Sequence, residues 1–338
     1  MTAAAGAGLG QHDGCDAVRL QLTIGDDVAL GRTKLPMNPT PHATVIPACA
    51  PPRAASRPKI APPPNACDTH AHVFGPAVQF PYAADRSYTP PDAPLPKYLA
   101  MLDTLGMARG VLVQGSAHGR DNAAMLDALA RHPDRLRGVA VADADVAPDE
   151  LRRWARLGVR GLRFNHYFRG GTLHYRGGVP LEAARTLAPV MAELGWHLQL
   201  WIDIKDLPDT LPTLRALGLP VVIDHMGRTE AGAGTGTDGF QCLLRWLGEG
   251  GCWVKVSGAH RLSRQWPDYP DARPFHEALV RANPERLVWG SDWPHPRMEA
   301  EMPDVGHLLD LFHAWTPDAA TQVRILSTNP AELYGFPA

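Results

Sequence analysis

Four residues of this sequence have types and positions suited to activating water at a carbonyl: His70, His72, His225 and Asp292. His70-Ala71-His72 closes an apolar run, and on a strand residues i and i+2 share a face, so both imidazoles can converge on one centre. Asp224-His225-Met226-Gly227-Arg228 follows the apolar Val221-Val222-Ile223, and Gly290-Ser291-Asp292-Trp293-Pro294-His295-Pro296 follows a further apolar run. Each alone reads equally as a core histidine or a loop cap; their recurrence at three strand ends carries the functional reading. Three imidazoles and one carboxylate match a mononuclear zinc site held by His70, His72, His225 and Asp292, or an acid–base cluster without metal. With metal, the ion polarises a carbonyl or lowers the pKa of bound water. Without it, the histidines hydrogen-bond the carbonyl oxygen as it becomes an oxyanion. In both versions Asp292 is the natural general base for the attacking water.

Such a cluster needs a scaffold that presents strand ends side by side. From residue 65 onward, short apolar runs alternate with helical spacing. The runs predict strands over 66–73, 110–114, 138–142, 158–164, 197–202, 220–224, 252–257 and 287–291. Helices are predicted over 121–131, 149–157, 181–194, 207–217, 240–247 and 275–283, and a helix start at Thr328-Asn329-Pro330, with Asn329 capping. Eight strands alternating with helices point to an α/β fold, a closed (β/α)8 TIM barrel, whose active sites sit at the C-terminal strand ends. An open doubly wound sheet would carry a glycine-rich phosphate turn after its first strand, where this chain has Asp68-Thr69-His70-Ala71-His72.

Composition narrows the class. Lys and Arg total 33 against 35 Asp and Glu, a net charge of −2 that offers no footprint for nucleic acid or an anionic membrane. The five cysteines (Cys15, Cys49, Cys67, Cys242 and Cys252) include no CxxC pair, which suits a reducing cytoplasm better than a disulfide scaffold. No apolar run approaches the roughly 20 residues of a membrane span, and no signal peptide is expected. Residues 1–64 form a separate segment rich in Ala, Gly and Pro, read as a mostly disordered or extended arm before the barrel at 65–338. A short strand over 17–30 and a start at Met37 are further expectations there.

The sequence resembles the amidohydrolase superfamily, in the branch that hydrolyses small lactones. The resemblance covers about residues 65–335 and rests on ACDTHAHVFGP (66–76), VQGSAHGRDN (113–122), VRGLRFN (159–165), VVIDHMGR (221–228), LVWGSDWPHP (287–296) and STNPAELYGF (327–336). It implies that His70, His72 and His225 contact the lactone and that Asp292 activates water. It implies further that Arg163 and Arg169 clamp substrate carboxylates, a task suited to arginine's planar fork. Ser116 and Tyr88 fall where the branch has additional substrate contacts, and Arg261 where it has another arginine near the site, which extends the substrate-binding set to Arg261.

Two positions depart from that pattern. Trp201 stands where the branch has a tyrosine, and Arg297 where it has an asparagine. Losing a hydroxyl and gaining a cation favour a substrate with a stronger anionic group. A sulfonated lactone, 4-sulfomuconolactone, opening to maleylacetate and sulfite in aromatic-compound catabolism, therefore comes ahead of 2-pyrone-4,6-dicarboxylate. Asn165 and Trp201 supply neither the histidine nor the lysine of a binuclear centre, so one zinc ion at most is expected. His166 and Tyr167 are expected at the rim, His118 either lining the pocket or holding its loop through a backbone hydrogen bond, and Lys255 as the structural partner of a carboxylate. The rival readings are a metal-dependent decarboxylase on the same barrel and a non-catalytic barrel that binds an anionic metabolite.

Overall fold

A computed structural model describes residues 46–337 of the chain, apart from the side chain of Arg169. The expected strand over 17–30 and the start at Met37 lie outside the described residues.

Eight parallel strands run β1 (Cys67–Ala71), β2 (Arg109–Val113), β3 (Leu136–Ala140), β4 (Val159–His166), β5 (His197–Ile202), β6 (Val221–Ile223), β7 (Trp253–Lys255) and β8 (Leu287–Val288), each paired with its sequence neighbours. Closure of β8 onto β1 is made by backbone bonds just beyond the short last strand. Thr69 N donates to Trp289 O at 2.9 Å, Asp292 N to His70 O at 2.8 Å and His72 N to Trp293 O at 2.8 Å. These bonds also fix the height of Asp292 relative to the two histidines of β1. The predicted strands are all present, trimmed or shifted by one to three residues.

Helices cover the outside: α1 (Leu95–Leu105), α2 (Ala123–Arg131), α3 (Pro148–Leu157), α4 (Ala184–Glu193), α5 (Leu207–Ala216), α6 (Asp238–Gly248), the short α7 (Ala259–Leu262), α8 (Arg273–Ala282), α9 (Val305–Trp315), α10 (Ala319–Val323) and α11 (Asn329–Tyr334). The six predicted helices correspond to α2 to α6 and α8. α1 was not predicted; it begins at Pro94, buries Tyr98, Leu102 and Leu105 on one face, and ends at Gly106, whose φ of 77° terminates it in the left-handed region. One expectation is corrected. Asn329 does not cap a new helix, because α10, a π-turn over Arg324–Thr328 and α11 are continuous. Pro330 has no N–H for the carbonyl four residues back, and the widened turn carries the chain past it. Asn329 Nδ2 instead donates to Pro284 O and Leu287 O, tying α11 to the start of β8.

At the N-terminal end of the barrel, Tyr334 and Phe336 pack on Cys67, Val111, Val113 and Val139 and fill the interior. Residues 46–64 run extended along the barrel and are hydrogen-bonded to it. Cys49 N reaches Thr89 O, Ser56 N reaches Asp304, Lys59 N reaches Asp310, and Ser327 Oγ reaches Pro64 O. No helix among the described residues is long and apolar enough to cross a membrane.

Candidate active site

The C-terminal strand ends bring His70 and His72 (β1), Arg163 (β4), Trp201 (β5), Asp224 and His225 (after β6), His260 and Arg261 (α7, after β7) and Asp292 (after β8) into one region. Each imidazole is fixed through Nδ1 and turns Nε2 inward. His72 Nδ1 lies 2.8 Å from Val113 O, an acceptor only, so Nδ1 carries the proton. His225 Nδ1 lies 2.9 Å from Ser257 Oγ. His70 Nδ1 lies 3.2 Å from Asp224 Oδ1, and burial holds that imidazole well below its ordinary pKa. Lys255 Nζ stands 3.3 Å from the same Nδ1, so His70 is held between the lysine and the carboxylate. The three Nε2 atoms then stand 3.9 Å (His70), 3.7 Å (His72) and 3.7 Å (His225) from Asp292 Oδ1. His70 Nε2 is buried without a partner.

Glycine makes this approach possible. Gly258 sits at φ 71°, and a Cβ there would meet the His225 ring at 2.9 Å. At Gly290 a Cβ would meet His70 Cβ at 2.6 Å.

Asp292 itself occupies the left-handed region at φ 62°. Its Oδ2 accepts from Arg261 Nε at 2.7 Å and lies 3.1 Å from His260 Nε2, so Oδ1 alone faces the histidines. Burial pushes this carboxyl up, but Arg261, His225 and the His260 hydrogen bond outweigh it and hold Asp292 well below the usual carboxylate range. Burial drives His225 down to about 3, so it too is neutral. Neutral imidazole edges facing a carboxylate oxygen across almost 4 Å leave room for a small cation between them, at about 2 Å from each. Asp292 with His70 and His72, and His70 with Asp224 and His225, are the groups that could hold a metal ion among the described residues.

Beneath the cluster lies a buried charge network. Asp224 Oδ2 accepts from Arg163 Nε at 3.0 Å and from Gln199 Nε2 at 3.1 Å. Lys255, fully buried, donates to Thr69 O and Gln199 Oε1 at 2.8 Å each and stands 3.7 Å from Asp224 Oδ1. Burial lowers that lysine to about 8, partly offset by Asp224. Burial likewise raises the Asp224 carboxyl, and His70, Arg163 and Lys255 together bring it well below the usual range. Lys255 is thus the carboxylate partner it was expected to be.

Above the cluster opens a cleft of about 430 Å³ of empty space, part of it open to solvent. His72, His225, Asp292, Tyr88, Ser116, Arg163, Arg228, Arg261, Tyr175, Trp201 and Pro296 line it. Among the described side chains, three guanidiniums and one carboxylate line it. Ser116 Oγ bonds Tyr88 Oη at 3.3 Å. Trp201 stacks on Tyr167 at 5.4 Å and on Tyr175 at 4.4 Å between ring centroids. Arg297 is exposed at the rim, 2.6 Å from His174 Nε2 and stacked over Tyr175. Arg169 follows β4 in a two-residue strand of a small hairpin. His118 holds its loop to Pro81 O, and His166 lies beside Thr210. Asp224, Gln199, Tyr175, Arg228 and His260 were not singled out from sequence. Position was the available signal: Asp224 precedes His225, and His260 follows the seventh strand in Ser257-Gly258-Ala259-His260-Arg261.

Comparison with known proteins places this geometry. The chain is 40% identical over 293 residues to 4-sulfomuconolactone hydrolase of Rhizobium radiobacter, covering 86% of this chain and 97% of that protein. It is 38% identical over 288 residues to 2-pyrone-4,6-dicarboxylate hydrolase of Comamonas testosteroni, covering 82% and 93%. The crystal structure of a 2-pyrone-4,6-dicarboxylic acid hydrolase assigned in Pseudomonas putida superposes with a TM-score of 0.71 at 39% identity, covering 81% of this chain and 98% of that one. The family model for amidohydrolases matches residues 67–336, and the chain belongs to the amidohydrolase family.

Proposed function

We propose that this protein hydrolyses a small anionic lactone, with 4-sulfomuconolactone the first candidate and 2-pyrone-4,6-dicarboxylate the second. The observation that carries the reading is the convergence of three imidazole Nε2 atoms on Asp292 Oδ1 at the floor of a guanidinium-lined cleft. The lactone enters with its acid groups toward the arginines and its ring carbonyl toward His70, His72 and His225. Asp292 Oδ1 takes a proton from water, and the resulting hydroxide attacks the carbonyl carbon. The tetrahedral oxyanion faces the imidazole edges and collapses by breaking the ring C–O bond, leaving a carboxylate and an enol or alcohol oxygen. On the sulfonated lactone, ring opening followed by loss of sulfite leaves the keto acid maleylacetate.

The orphaned His70 Nε2 and the outward-fixed Nδ1 atoms of all three histidines fit a single zinc ion held by His70, His72, His225 and Asp292. When bound, such an ion supplies Lewis acidity at the carbonyl and acidity to its water. Arg261 keeps Asp292 ionised but also weakens it as a base. A substrate anion that draws Arg261 toward itself therefore strengthens the base at the moment the cleft fills. Arg163 and Arg169 are assigned to substrate carboxylates and Arg297 to the sulfonate at the rim, with Ser116 and Tyr88 completing the wall. The free thiols among the described residues accord with a reducing compartment, and we assign the protein to the cytoplasm.

Turnover of the two lactones, followed by loss of ring absorbance and by sulfite release, tests the proposal. Ring opening of either compound is expected, with the sulfonated one preferred. Inactivity on both, together with CO₂ release from a non-lactone acid, would replace it with the decarboxylase reading.

A further inference from the structure

A second opening lies where residues 53–59 cross the start of α9 and the turn at 266–269. It encloses about 790 Å³ of empty space, part of it open to solvent, against about 430 Å³ for the cleft, and the two share no lining residue. Arg53, Arg57 and Lys59 line it, all exposed. None of the three meets a carboxylate among the described residues. The two carboxylates of the wall are tied to backbone instead. Asp304 Oδ1 accepts from Ser56 N at 2.9 Å and Gly306 N at 3.0 Å, and Asp310 Oδ1 from Lys59 N at 2.7 Å. His307 is likewise held, with Nε2 2.9 Å from Asp268 Oδ1. The arm thus docks on α9 through its backbone N–H groups and keeps its side-chain cations for another partner.

Exposed cations alone are ordinarily solvated; two aromatic residues set this group apart. Tyr269 lines the opening and is only 3% exposed, yet its hydroxyl has no hydrogen-bond partner among the described residues. A phenol can donate and accept, so a ligand oxygen in the opening supplies what the protein does not. Trp266, also in the wall, is 43% exposed, with Leu308 and Pro303 adding apolar surface beside it. An indole face left open beside guanidiniums suits a flat ring that carries negative charge.

We propose that this opening is a second ligand site, separate from the catalytic cleft, for a planar aromatic acid with two or more acid groups. The ring lies against Trp266, one acid group accepts from the Tyr269 hydroxyl, and the others meet Arg53, Arg57 and Lys59. More than one unspent cation calls for more than one acid group. An inorganic anion would engage the cations but leave the indole face and most of the space unfilled. Because no residue of the cleft takes part, the site stands whether or not the cleft opens lactones.

The test titrates naphthalene-2,6-dicarboxylate, a fluorescent planar dianion, with the full-length protein and follows its anisotropy. Wild type should bind it saturably. Trp266→Ala should weaken binding about tenfold, and the double variant Arg53→Gln/Arg57→Gln at least as much. Tyr269→Phe, which keeps the ring, should cost about 3–10-fold. Trp266, Arg53 and Arg57 are exposed, so these variants keep the wild-type fold, which circular dichroism checks. Arg163→Gln, in the cleft, should leave the affinity within about twofold, because it shares no contact with the site. No saturable binding by wild type overturns the proposal. So does affinity within about twofold of wild type in Trp266→Ala, in the double arginine variant or in Tyr269→Phe. Loss of binding in Arg163→Gln with Trp266→Ala unchanged would put the probe in the cleft and overturn it equally.

Discussion

Asp224→Asn removes one negative charge from the buried network while keeping its shape. Asp224 is fully buried and meets Arg163 at 3.0 Å, His70 at 3.2 Å and Lys255 at 3.7 Å. An asparagine presents amide hydrogens where Oδ1 or Oδ2 accepted them, and leaves two cations without a counter-charge. Breaking a buried pair by removing one partner costs about 3–5 kcal/mol, a large share of the roughly 5–15 kcal/mol that holds a domain folded. With an unfolding entropy of about 2.1 cal/mol/K per residue over roughly 300 residues, that loss lowers Tm by about 5–8 °C. Differential scanning calorimetry reads the shift, and urea unfolding gives the free energy. In Arg163→Met/Asp224→Asn the uncompensated guanidinium is gone, so the double variant should recover about 1–3 kcal/mol relative to the sum of the single losses. A Tm loss under about 2 °C for Asp224→Asn, or strict additivity in the cycle, would refute the claim that this carboxylate anchors the two cations.

Because burial holds His225 down to about 3 and His70 well below 6.5, kcat/KM should change less than about twofold between pH 8 and pH 5.5. An ordinary histidine limb near 6.5 would cost about tenfold over that range and would contradict the assignment. His276, buried and 2.6 Å from Thr316 Oγ1, is depressed by burial to about 4. The unfolded chain takes up that proton first, so its contribution is complete above about 6.5 and declines by about 3 kcal/mol as pH falls toward 4. Urea unfolding of His276→Gln across this window should show a shallower acid decline; an unchanged slope counts against the role. Arg297→Ala at the exposed rim should raise KM for a sulfonated lactone about 3–10-fold and leave Tm within about 1 °C. Equal KM values for the two proteins would remove Arg297 from substrate recognition.

The barrel, and the four residues that converge in the candidate site, were legible because both are written in local pattern. Apolar runs alternating with helical spacing gave all eight strands, and His70, His72, His225 and Asp292 announced themselves by standing at strand ends. What escaped the sequence depends on partners far along the chain. Asp224 reads as a strand-end residue until Arg163, 61 positions earlier, and Lys255 are seen against it. His260 carries no signal of its own in the sequence, and its place is seen only when its ring meets Asp292. Arg163 reads as a substrate clamp alone until the buried Asp224 is seen 3.0 Å from it. The Asn329 reading failed for the opposite reason: the local Thr-Asn-Pro signal was sound, but a π-turn kept the helix running through it.

The most direct test of the central claim is Asp292→Asn assayed against wild type on 4-sulfomuconolactone, with sulfite and ring opening followed together and zinc measured in both preparations. The account predicts that kcat falls about 10³-fold or more while lactone binding survives, because Oδ1 is the atom that takes the proton from water. Turnover within tenfold of wild type at matched metal content would show that another group activates the water.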